Sequence, residues 1–575
     1  MNYQKKSISK NFAVFEKEYG KIPSLCLCNA GIKTLAQAKA YLYDTNYIPS
    51  SLLPDIDKAE NIIQSAINRS EKLCIFGDYD ADGVTSSAIL KLTLDALGAD
   101  SFVRLPDRIE GYGISLKAVE ECIQKGAKLI ITVDNGIKAI EEIAYAKSKG
   151  ISVVVLDHHI PGDEIPDADA IIDLHWKNGK YPYTHLTGSG LAFKVALYLT
   201  RNIEFDATKL VDLAAIGTIA DVEELLGENR VIVKNAIKLM RSKEYSRYGV
   251  KALYGRDLDY IKAEDIAFSI GPAVNACGRL QERGAEKPLN LLLCKEEELA
   301  KTLAEEIISV NEERKTIQKR CYNKIKSQAE KYFSDGDRVL VVLSDDSPTG
   351  IVGLLAGNLK EEFGVPAIVF GKTTNAEGEE IYTGSARSIE ECNIHDALLK
   401  ASDTLIRFGG HALAAGMSVK PENLDIFRET INSLVSISDE IINKPYIYDL
   451  ELDEKEITDK LLSDLDTCEP FGQGNPKPRF KVRARTELVK NGLYQALGAD
   501  KQHLKLRCES FDILGFNMAE EYRKAKTPKT IEAYGTLNVN HFNGQNYNQL
   551  MLDNFVPIEE KKTDLMASLS SMLKF

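Results

Sequence analysis

Short apolar runs alternate with amphipathic segments from about residue 55 onward. The runs have the length of buried strands, and the segments between them place apolar residues at helical spacing and often end at glycine. Strands are predicted at residues 73–77, 101–105, 128–133 and 151–156, and helices at residues 57–67, 84–97, 115–125 and 138–149. Strands that alternate with helices predict a parallel, doubly wound α/β sheet.

The rest of the chain shows other patterns. Residues 186–220 are predicted to be mostly helical, and the highly charged residues 296–333, which lack glycine and proline, predict a long connecting helix with mostly solvated faces. A second α/β unit follows and ends near residue 419, and short alternating runs from about residue 446 predict a small β-barrel. The expected parts are an N-terminal helical segment (1–55), a catalytic α/β domain (56–290), the connecting helix (291–335), a smaller α/β domain (336–425) and the C-terminal β-barrel (440–575).

Composition is that of an ordinary globular protein. The chain has 575 residues, of which 44% are hydrophobic, and this length is enough for several domains. There is no run of about 20 apolar residues and the first ten residues are polar, so neither a membrane span nor a secretory signal is expected. Ten scattered cysteines without a CxxC pair indicate reduced thiols in the cytoplasm rather than a disulfide framework or a zinc site.

The net charge of −13 argues against a protein that coats nucleic acid non-specifically. It does not exclude a nuclease, because affinity for a phosphate backbone depends on local contacts. Bound cations would also offset part of the acidity if acidic residues form a metal site.

Acidic and imidazole side chains follow three of the predicted strands. After the first, third and fourth strands, in that order, come Asp78, Asp80 and Asp82, then Asp134, then the triplet Asp157, His158 and His159. Because the carboxyl ends of parallel strands face one crevice, we expect these side chains to meet there. Carboxylate oxygens and imidazole nitrogens suit divalent ions such as Mn²⁺ or Mg²⁺. The pattern predicts a site for one or two such ions and metal-assisted phosphoester chemistry.

Single positions carry more specific expectations. Asp80 and Asp82 would face the same region if their loop is extended, since side chains two residues apart then point the same way; Asp78 would join or orient them. Asp134 could bridge two ions, and Asp221, which follows an apolar run, could complete the site. Taken singly, each acid has an ordinary alternative as a helix cap or turn residue. It is their conjunction at the strand ends that favours a metal site.

The adjacent histidines are expected to point to opposite sides of an extended backbone. One of His158 and His159 would then bind metal while the other faces the substrate; structural hydrogen bonding is the alternative for both. Two cations about 3.5–4 Å apart can activate water and neutralise the charge that develops during phosphodiester hydrolysis. A bare carboxylate cluster would instead repel the substrate.

A series of motifs resembles the DHH phosphoesterase family in its RecJ-type branch. The triplet Asp157-His158-His159 gives the family its name. The other motifs, in chain order, are residues 77–83, 106–108 with 110–113, 275–279, 408–412 and 469–476. In that family, residues like 408–412 belong to a DHHA1 domain, and residues like 469–476 open an oligonucleotide-binding (OB) domain. The resemblance spans nearly the whole chain.

The resemblance implies a nuclease that degrades single-stranded DNA from 5′ to 3′ with Mn²⁺ or Mg²⁺, and two ions in the site. His159 would contact the scissile phosphate, and Asp157 would orient its neighbours. The metal ligands implied by the resemblance are Asp78, Asp80, Asp82, Asp134, His158 and Asp221, with Asp78 alternatively a supporting carboxylate. Residues 56–290, 336–425 and 440–575 would be the DHH, DHHA1 and OB domains.

Arg108 and Arg279 stand beside glycine-rich segments, and the planar guanidinium suits phosphate. We expect them to contact the 5′ phosphate or nearby backbone, the alternative being a surface or ion-paired arginine. Glycines elsewhere would let phosphate approach the backbone closely, although a simple glycine turn is the alternative. The substrate contacts expected there are Ser385, Arg387, Gly410 and His411. The family pattern places these residues across the cleft from the metals.

Aromatic residues of the predicted barrel, such as Phe516 and Tyr534, could stack bases, the alternative for each ring being a place in the barrel core. The resemblance implies single-stranded DNA as substrate, a single-strand-binding protein and a helicase as partners, and a role in DNA repair and recombination. No membrane partner is expected.

Two positions depart from the family pattern. Ser347-Pro348-Thr349 stands where a tryptophan and a histidine are usual, which removes an expected substrate contact, and Asn135 stands where a cysteine is usual. The alternative function is a phosphodiesterase for short oligoribonucleotides or cyclic dinucleotides, but such enzymes resemble only the first two domains. A non-catalytic DNA-binding scaffold is a third hypothesis, yet a scaffold should lose metal ligands, and all of those proposed are present.

Overall fold

The computed structural model describes residues 2–108, 110–176, 179–375, 378–486, 494–498, 500–542 and 545–558. The chain forms two compact units, one of Thr45–Lys444 and one that combines Met1–Asp44 with Pro445–Phe575. Residues 487–493, 499, 543–544 and 559–575 of the predicted barrel lie outside the described residues.

The N-terminal segment contains a short strand and three helices, β1 (Tyr3–Lys5), α1 (Phe12–Tyr19), α2 (Lys21–Asn29) and α3 (Leu35–Tyr43). A capping box begins α3. The Thr34 hydroxyl accepts a hydrogen bond from the Gln37 amide, and the Gln37 side chain accepts one from the Thr34 amide. These two bonds satisfy amide groups that have no partner within the helix.

A five-stranded parallel sheet forms the centre of the larger unit. Its strands are β2 (Lys72–Phe76), β3 (Ser101–Arg104), β4 (Ala127–Val133), β5 (Ser152–Leu156) and β6 (Ala170–Ile172), in the spatial order β3-β2-β4-β5-β6. Because β2 pairs with both β3 and β4, the chain passes to one side of β2 and then returns to the other. This reversal creates a switch point at the carboxyl ends of β2 and β4, where ligands bind in open α/β sheets.

Helices of the same domain cover both faces of this sheet or pack on the helices that do. They are α4 (Ile56–Asn68), α5 (Ala81–Ala96), α6 (Leu116–Gln124), α7 (Ile140–Ser148), α8 (Gly188–Leu199), α9 (Val211–Ala220), α10 (Gly227–Met240), α11 (Tyr248–Tyr254), α12 (Ala263–Asp265), α13 (Gly271–Leu280) and α14 (Glu286–Leu293). On one face, α6 and α7 pack through Val119 and Ile143. On the other face, α5 contacts β2 and β4, α8 contacts β4 and β5, and α9 packs on α5 and α8 within the core that contains Ile75. A π-helical turn, Ile266–Ile270, joins α12 to α13.

The predicted connecting helix is α15 (Glu297–Ser334), 38 residues long. Most of its side chains are solvated, as expected, but one stripe is buried. The residues of that stripe are Ala300, Ala304, Ile307, Val310, Asn311, Cys321, Ile325 and Ala329. The stripe attaches α15 to the core of the catalytic domain at one end and to the core of the second domain at the other.

The second α/β domain contains a mixed five-stranded sheet. Its strands are β7 (Leu340–Ser344), β8 (Ala367–Thr374), β9 (Glu380–Arg387), β10 (Arg407–Gly410) and β11 (Ala414–Val419), in the order β10-β11-β9-β8-β7. The pair β7 and β8 is parallel and the other pairs are antiparallel. The helices are α16 (Thr349–Phe363), α17 (Ile394–Lys400), α18 (Leu424–Leu434) and α19 (Asp439–Ile442).

The C-terminal part is rich in β-structure, as predicted. Its elements are β12 (Tyr446–Tyr448), β13 (Leu450–Asp453), α20 (Asp459–Asp466), β14 (Arg479–Arg485), β15 (Gln495–Leu497), β16 (His503–Arg507), β17 (Asp512–Gly515), α21 (Ala519–Lys524), β18 (Thr530–Phe542) and β19 (Gln545–Pro557). Seven strands form one sheet in the order β13-β14-β18-β19-β17-β16-β15, and β1 pairs with β12. Along β14, buried Phe480, Val482 and Ala484 alternate with more exposed basic residues, the two-residue period expected of a half-buried strand.

Helix hydropathy and the cysteines give two further structural facts. No described helix is long and apolar enough to cross a membrane. All ten cysteines lie in the described residues, and no disulfide joins any of them there.

Candidate metal centre

Acidic residues lie at the carboxyl ends of four strands of the parallel sheet. Asp134, Asp157 and Asp173 directly follow β4, β5 and β6, and Asp78 lies two residues beyond β2. All four side chains are buried. Sequence analysis identifies all but Asp173, whose strand is only three residues long and gives no recognisable pattern. An isolated acid after a strong apolar pair, Ile171-Ile172, is the signal that could have revealed it.

The acidic loop after β2 leads directly into α5. Asp80 caps this helix, since its Oδ1 accepts a hydrogen bond from the Gly83 amide at 3.0 Å, and Asp82 lies in the first helical turn. The expectation of an extended loop is therefore wrong, because the helix begins at Ala81 and not at residue 84. Asn275 on α13 accepts a hydrogen bond from the Ala81 amide at 2.8 Å and so fixes the start of the helix.

The ligand atoms form three overlapping groups, in each of which all atoms lie within 4.8 Å of one another. The groups are Asp78, Asp80 and Asp134; Asp82, His158 and Asp221; and Asp134, His158 and His159. His158 Nε2 lies 3.1 Å from Asp134 Oδ1, and 3.8 Å from both Asp82 Oδ2 and Asp221 Oδ2. Asp134 belongs to the first and third groups, and His158 belongs to the second and third. The first and second groups therefore adjoin where these two side chains meet. Asp80 is in the first group and Asp82 is in the second.

Two glycines make room for Asp82 between the helices. A Cβ atom at Gly188 would lie 2.7 Å from Asp134 Cβ and 2.9 Å from Asp82 Oδ2. A Cβ atom at Gly217 would overlap with Asp82 Oδ1 and Ser189 Oγ. With no side chain at either position, the Ser189 amide donates to Asp82 Oδ1 at 3.0 Å. Helix packing therefore fixes the orientation of this carboxylate.

The two histidine rings lie side by side, with centroids 4.5 Å apart. The expectation that they point to opposite sides is wrong, because β5 ends at Leu156 and the next residues turn around Asp157. Asp157 Oδ1 accepts hydrogen bonds from the amides of His158 at 2.8 Å and His159 at 3.2 Å, and its Oδ2 accepts one from Ile137 at 2.9 Å. His159 Nδ1 also lies 2.8 Å from Asp157 Oδ1. Asp157 is saturated with hydrogen bonds and orients both rings.

Burial and mutual repulsion shift the pKa values of the acids. Burial raises the pKa of Asp134 well above its usual range, and the charges of Asp82 and Asp80 raise it further. Burial is also the main cause that raises the pKa of Asp78, Asp80 and Asp221, and a neighbouring carboxylate adds to it in each case. Carboxylates this close are unfavourable together when all are ionised.

The two imidazoles are shifted in opposite directions. Burial lowers the pKa of His158, which keeps that ring neutral and able to act as a ligand. Burial also lowers the pKa of His159, but the hydrogen bond with Asp157 and its charge outweigh burial, so the pKa is raised overall. His159 is therefore suited to carry a positive charge beside a phosphate.

These residues fit a divalent cation. Asp78 Oδ1 and Asp82 Oδ2 are buried, and neither has a hydrogen-bond partner within the described part of the chain. A buried polar atom without a partner costs free energy, which a bound cation would recover. A cation would also turn the repulsion among the carboxylates into attraction. The oxygen-rich donor set with an imidazole nitrogen suits Mn²⁺ and Mg²⁺.

Three predicted arginines gather where the catalytic domain meets the second α/β domain. Arg279 lies at the end of α13 and donates from Nη1 to the Gly350 carbonyl of α16 at 3.0 Å. Burial, followed by the charge of Arg108, lowers the pKa of Arg279 to about 10. The same two causes lower the pKa of Arg387. These guanidiniums repel one another, so the group favours a bound anion.

The surroundings of these arginines hold them in place. Arg108 stacks over the Tyr79 ring, 4.5 Å from its centroid, and its buried Nε has no hydrogen-bond partner among the described residues. Arg387 Nη1 donates to Ser385 Oγ at 2.9 Å on the same strand, β9. Substitution of Gly350 by any larger residue would overlap with the Arg279 carbonyl. The predicted contacts Arg108, Arg279, Arg387 and Ser385 therefore lie in one region of the cleft.

Gly410 and His411 lie in the β10–β11 hairpin. The His411 amide donates to the Ala414 carbonyl at 2.8 Å, and Gly410 has a φ of 143°, so the hairpin itself requires a glycine there. Burial, followed by the charges of Lys138 and His159, lowers the pKa of His411. The charge of His159 thus acts on His411, while Gly410 has a structural reason of its own.

Two further expectations concern single side chains. Ser347 replaces an expected substrate contact, and its Oγ lies 2.6 Å from Ser344 Oγ in a buried turn before α16. In the C-terminal domain, Phe516 is 58% exposed, whereas Tyr534 is only 2% exposed and stacks on Tyr3 with centroids 4.1 Å apart. Phe516 thus keeps a ring in solvent, and Tyr534 belongs to the core.

Comparison with known proteins identifies relatives over nearly the whole chain. Family models match residues 72–218 (DHH family, N-terminal domain), 336–436 (DHHA1 domain) and 448–554 (RecJ OB domain). The single-stranded-DNA-specific exonuclease RecJ of Bacillus subtilis is 34% identical over 94% of this chain and 68% of its own length. The protein of the same name from Salmonella typhimurium is 33% identical over 89% of this chain and 92% of its own length.

Solved structures give the same relationship. The crystal structure of Thermus thermophilus RecJ with Mn²⁺ is 26% identical, has a TM-score of 0.79 and covers 97% of this chain and 80% of its own. The structure of that protein with Mg²⁺ has a TM-score of 0.72 at 24% identity, with 97% and 79% coverage, and it supports the fold. The α/β domains and the OB domain expected from the sequence are thereby confirmed.

Proposed function

The chain belongs to the RecJ family of single-stranded-DNA-specific exonucleases, and we propose that it removes nucleotides from the 5′ end of single-stranded DNA. The reaction is a metal-dependent hydrolysis of phosphodiester bonds. One observation carries the proposal: two groups of metal ligands adjoin at the switch point of the sheet, where Asp134 Oδ1 and His158 Nε2 lie 3.1 Å apart. Family membership supplies the substrate class, and the cleft arginines support degradation from the 5′ end.

We assign two divalent ions, Mn²⁺ or Mg²⁺, to two of the three ligand groups. One ion would be held by Asp78, Asp80 and Asp134. The second ion would be held by Asp82, His158 and Asp221, with Asp134 beside them. Such ions polarise an attacking water and neutralise charge on the phosphate oxygens.

Asp157 and His159 prepare the site for the scissile phosphate. Asp157 accepts hydrogen bonds from three backbone amides, so its carboxylate is held still. It fixes the His159 ring through Nδ1 and raises the pKa of this imidazole, which favours contact with an anion. We assign contact with the scissile phosphate to His159 and orientation of that ring to Asp157.

We assign the 5′ phosphate to the cluster of Arg108, Arg279 and Arg387, with Ser385. Guanidiniums that repel one another are stabilised when an anion binds between them. A terminal phosphate monoester carries more negative charge than an internal diester, so this cluster favours a strand end. Gly410 and His411, on the facing hairpin, are the further contacts that we propose for the strand.

The domain roles follow from this assignment. We propose residues 336–425 as the DHHA1 substrate-binding domain and residues 440–575 as the OB domain that binds single strands. A single-strand-binding protein and a helicase would supply the strand during DNA repair. The alternative, a phosphodiesterase for short oligoribonucleotides or cyclic dinucleotides, is not favoured, because the match to the RecJ OB domain at residues 448–554 adds a module beyond the DHH and DHHA1 domains.

One assay tests the proposal. Purified protein with Mn²⁺ is given 5′-phosphorylated single-stranded DNA, the same strand with a 5′ hydroxyl, its duplex, a short RNA and a cyclic dinucleotide. We expect rapid loss of the single strand from its 5′ end, faster with the 5′ phosphate. Preference for the RNA or the cyclic dinucleotide would overturn the proposal.

A pair of variants separately tests the preference for a 5′-phosphorylated end. Arg279→Lys keeps the positive charge but loses the planar fork, so the advantage of the 5′ phosphate should shrink about tenfold. Arg256→Lys makes the same chemical change on an exposed arginine that pairs with Asp265, and it serves as the matched control. An unchanged preference in Arg279→Lys would remove this residue from the phosphate site.

A further inference from the structure

Tyr112 reaches the metal centre from the loop between β3 and α6. Its hydroxyl lies 2.9 Å from His159 Nδ1 and 2.9 Å from the Asp134 carbonyl oxygen. Its ring packs edge-on against the imidazole, with centroids 5.2 Å apart. Gly111 and Gly113, with φ values of 95° and 82°, turn the chain on either side in a way that favours glycine. The roles assigned above leave this hydroxyl unused.

The neighbouring hydrogen bonds determine where the protons lie. Asp157 Oδ1 is 2.8 Å from His159 Nδ1, and an ionised carboxylate only accepts, so Nδ1 carries a hydrogen. The Tyr112 hydroxyl therefore donates its one hydrogen to the Asp134 carbonyl, and its oxygen lies beside the imidazole, close to Nδ1. The distance from the hydroxyl to Nε2 is longer, 3.4 Å. This leaves His159 Nε2 for the substrate.

We propose that Tyr112 is a positioning residue that holds the His159 ring with Nε2 toward the scissile phosphate. The proposal rests on the function assigned above to His159. Asp157 fixes the imidazole at one atom, and the Tyr112 hydroxyl and ring edge add a second contact that resists rotation. Because the same hydroxyl binds the Asp134 backbone, it also ties the ring to a residue assigned as a metal ligand.

A double-mutant cycle tests this coupling. Tyr112→Phe removes the hydroxyl and keeps the ring, and we expect kcat on single-stranded DNA to fall about tenfold with KM unchanged. In a His159→Ala background, the same substitution should cause no further loss, since the residue acts through the imidazole. An unchanged kcat, an equal further loss without the imidazole, or a rise in KM alone would each overturn the proposal.

A second readout does not depend on turnover. In protein labelled with ¹⁵N at histidine, the ring nitrogen shifts of His159, assigned with His159→Ala, report the tautomer. At a pH high enough to keep this imidazole neutral, we expect the Nδ1–H form in the native protein and a mixture in Tyr112→Phe. If wild-type protein fails to cleave single-stranded DNA, the proposed function fails, whereas an unchanged tautomer in Tyr112→Phe contradicts the positioning role alone.

Tyr183→Phe provides the matched control. It removes a buried hydroxyl to which the roles assigned above give no part. We expect this variant to keep kcat, KM and the His159 tautomer. Thermal unfolding of both tyrosine variants checks that any loss in Tyr112→Phe does not come from a weakened fold.

Discussion

Asp134 combines an uncommon backbone conformation with a central place among the ligands. Its φ is 64°, in the left-handed region that aspartate and asparagine enter more readily than most residues. The turn sends the side chain back across the sheet edge to His158. Local strain of this kind is characteristic of functional sites. The sequence reveals the acid after the strand, but not the conformation that brings it between two ligand groups.

Asp134→Asn should separate catalysis from folding. Asparagine tolerates the same backbone conformation, but it removes the negative charge that two ligand groups share. We expect cleavage of single-stranded DNA to fall at least about 10³-fold. In the presence of a chelator, the free energy of unfolding should stay equal or rise, because one repelling carboxylate is gone. Single-turnover cleavage with Mn²⁺ and thermal unfolding measure the two effects.

Asp163→Asn is the control for that substitution, since it makes the same chemical change on an exposed acid in the loop after His159. It should leave both cleavage and stability unchanged. Activity of Asp134→Asn within about tenfold of the wild type would contradict the bridging role.

Asp173 should make stability depend on pH. Burial raises its pKa to about 6, and its Oδ2 has no hydrogen-bond partner among the described residues. Between about pH 4 and pH 6 the folded protein holds a proton on Asp173 that the unfolded chain has already released. The free energy of unfolding therefore falls as the pH rises through that window. Asp173→Asn removes the effect and can still accept from the His175 and Trp176 amides.

We therefore expect Asp173→Asn to be more stable than the wild type at pH 8, by about 1–2 kcal/mol. The difference should vanish near pH 3.5, below the pKa of this carboxyl in both the folded and the unfolded chain. Denaturant unfolding of both proteins at the two pH values measures it, and an equal difference at both would show that Asp173 does not titrate in this way.

At the scale of elements, the close packing of α5, α8 and α9 fixes Asp82. Gly217→Ala should disturb it, because the added Cβ overlaps with Asp82 Oδ1 and Ser189 Oγ. We expect a loss of about 1–3 kcal/mol in the free energy of unfolding, and a loss of activity of about 10²-fold from the displaced carboxylate. Circular dichroism during denaturation and the exonuclease assay give the two values.

Gly357→Ala is the matched helical control. Gly357 lies within α16, and a Cβ there meets nothing within 4 Å. Since alanine favours helix over glycine, this variant should gain about 0.5–1 kcal/mol and keep its activity. A Gly217→Ala protein that behaves like Gly357→Ala would refute the role of helix packing at Asp82.

The period of apolar residues predicts most elements, because burial of one face or of a whole strand leaves a direct trace in the sequence. The same pattern misplaces the beginning of α5, because Asp80, Ala81 and Asp82 carry no helical apolar period, although Asp80 is the cap. The side-by-side histidines depend on the hydrogen bonds of Asp157, which are contacts of tertiary structure. Sequence order therefore gives the ligand types, and packing gives their orientations.

At the scale of the whole molecule, the net charge of −13 does not describe the cleft. The acidic metal centre and the arginines around Arg279 lie in one unit, where opposite charges are segregated into neighbouring sites. Divalent cations would neutralise the first site and phosphate the second. An acidic protein can thus bind a polyanion locally, with an affinity that weakens as salt rises.

The unit Thr45–Lys444 should function alone on short strands. Four buried apolar clusters lie entirely within it, together with every ligand and arginine assigned above, so it has its own core. We expect this fragment to unfold cooperatively and to keep kcat on a short 5′-phosphorylated oligonucleotide. Without the OB domain, KM for a long strand should rise at least about tenfold, since stacking contributes about 1–3 kcal/mol per base. Steady-state kinetics on both lengths test this, with the Asp134→Asn fragment as the inactive control. A fragment whose KM for long strands equals that of the full chain would show that the C-terminal domain does not hold the substrate.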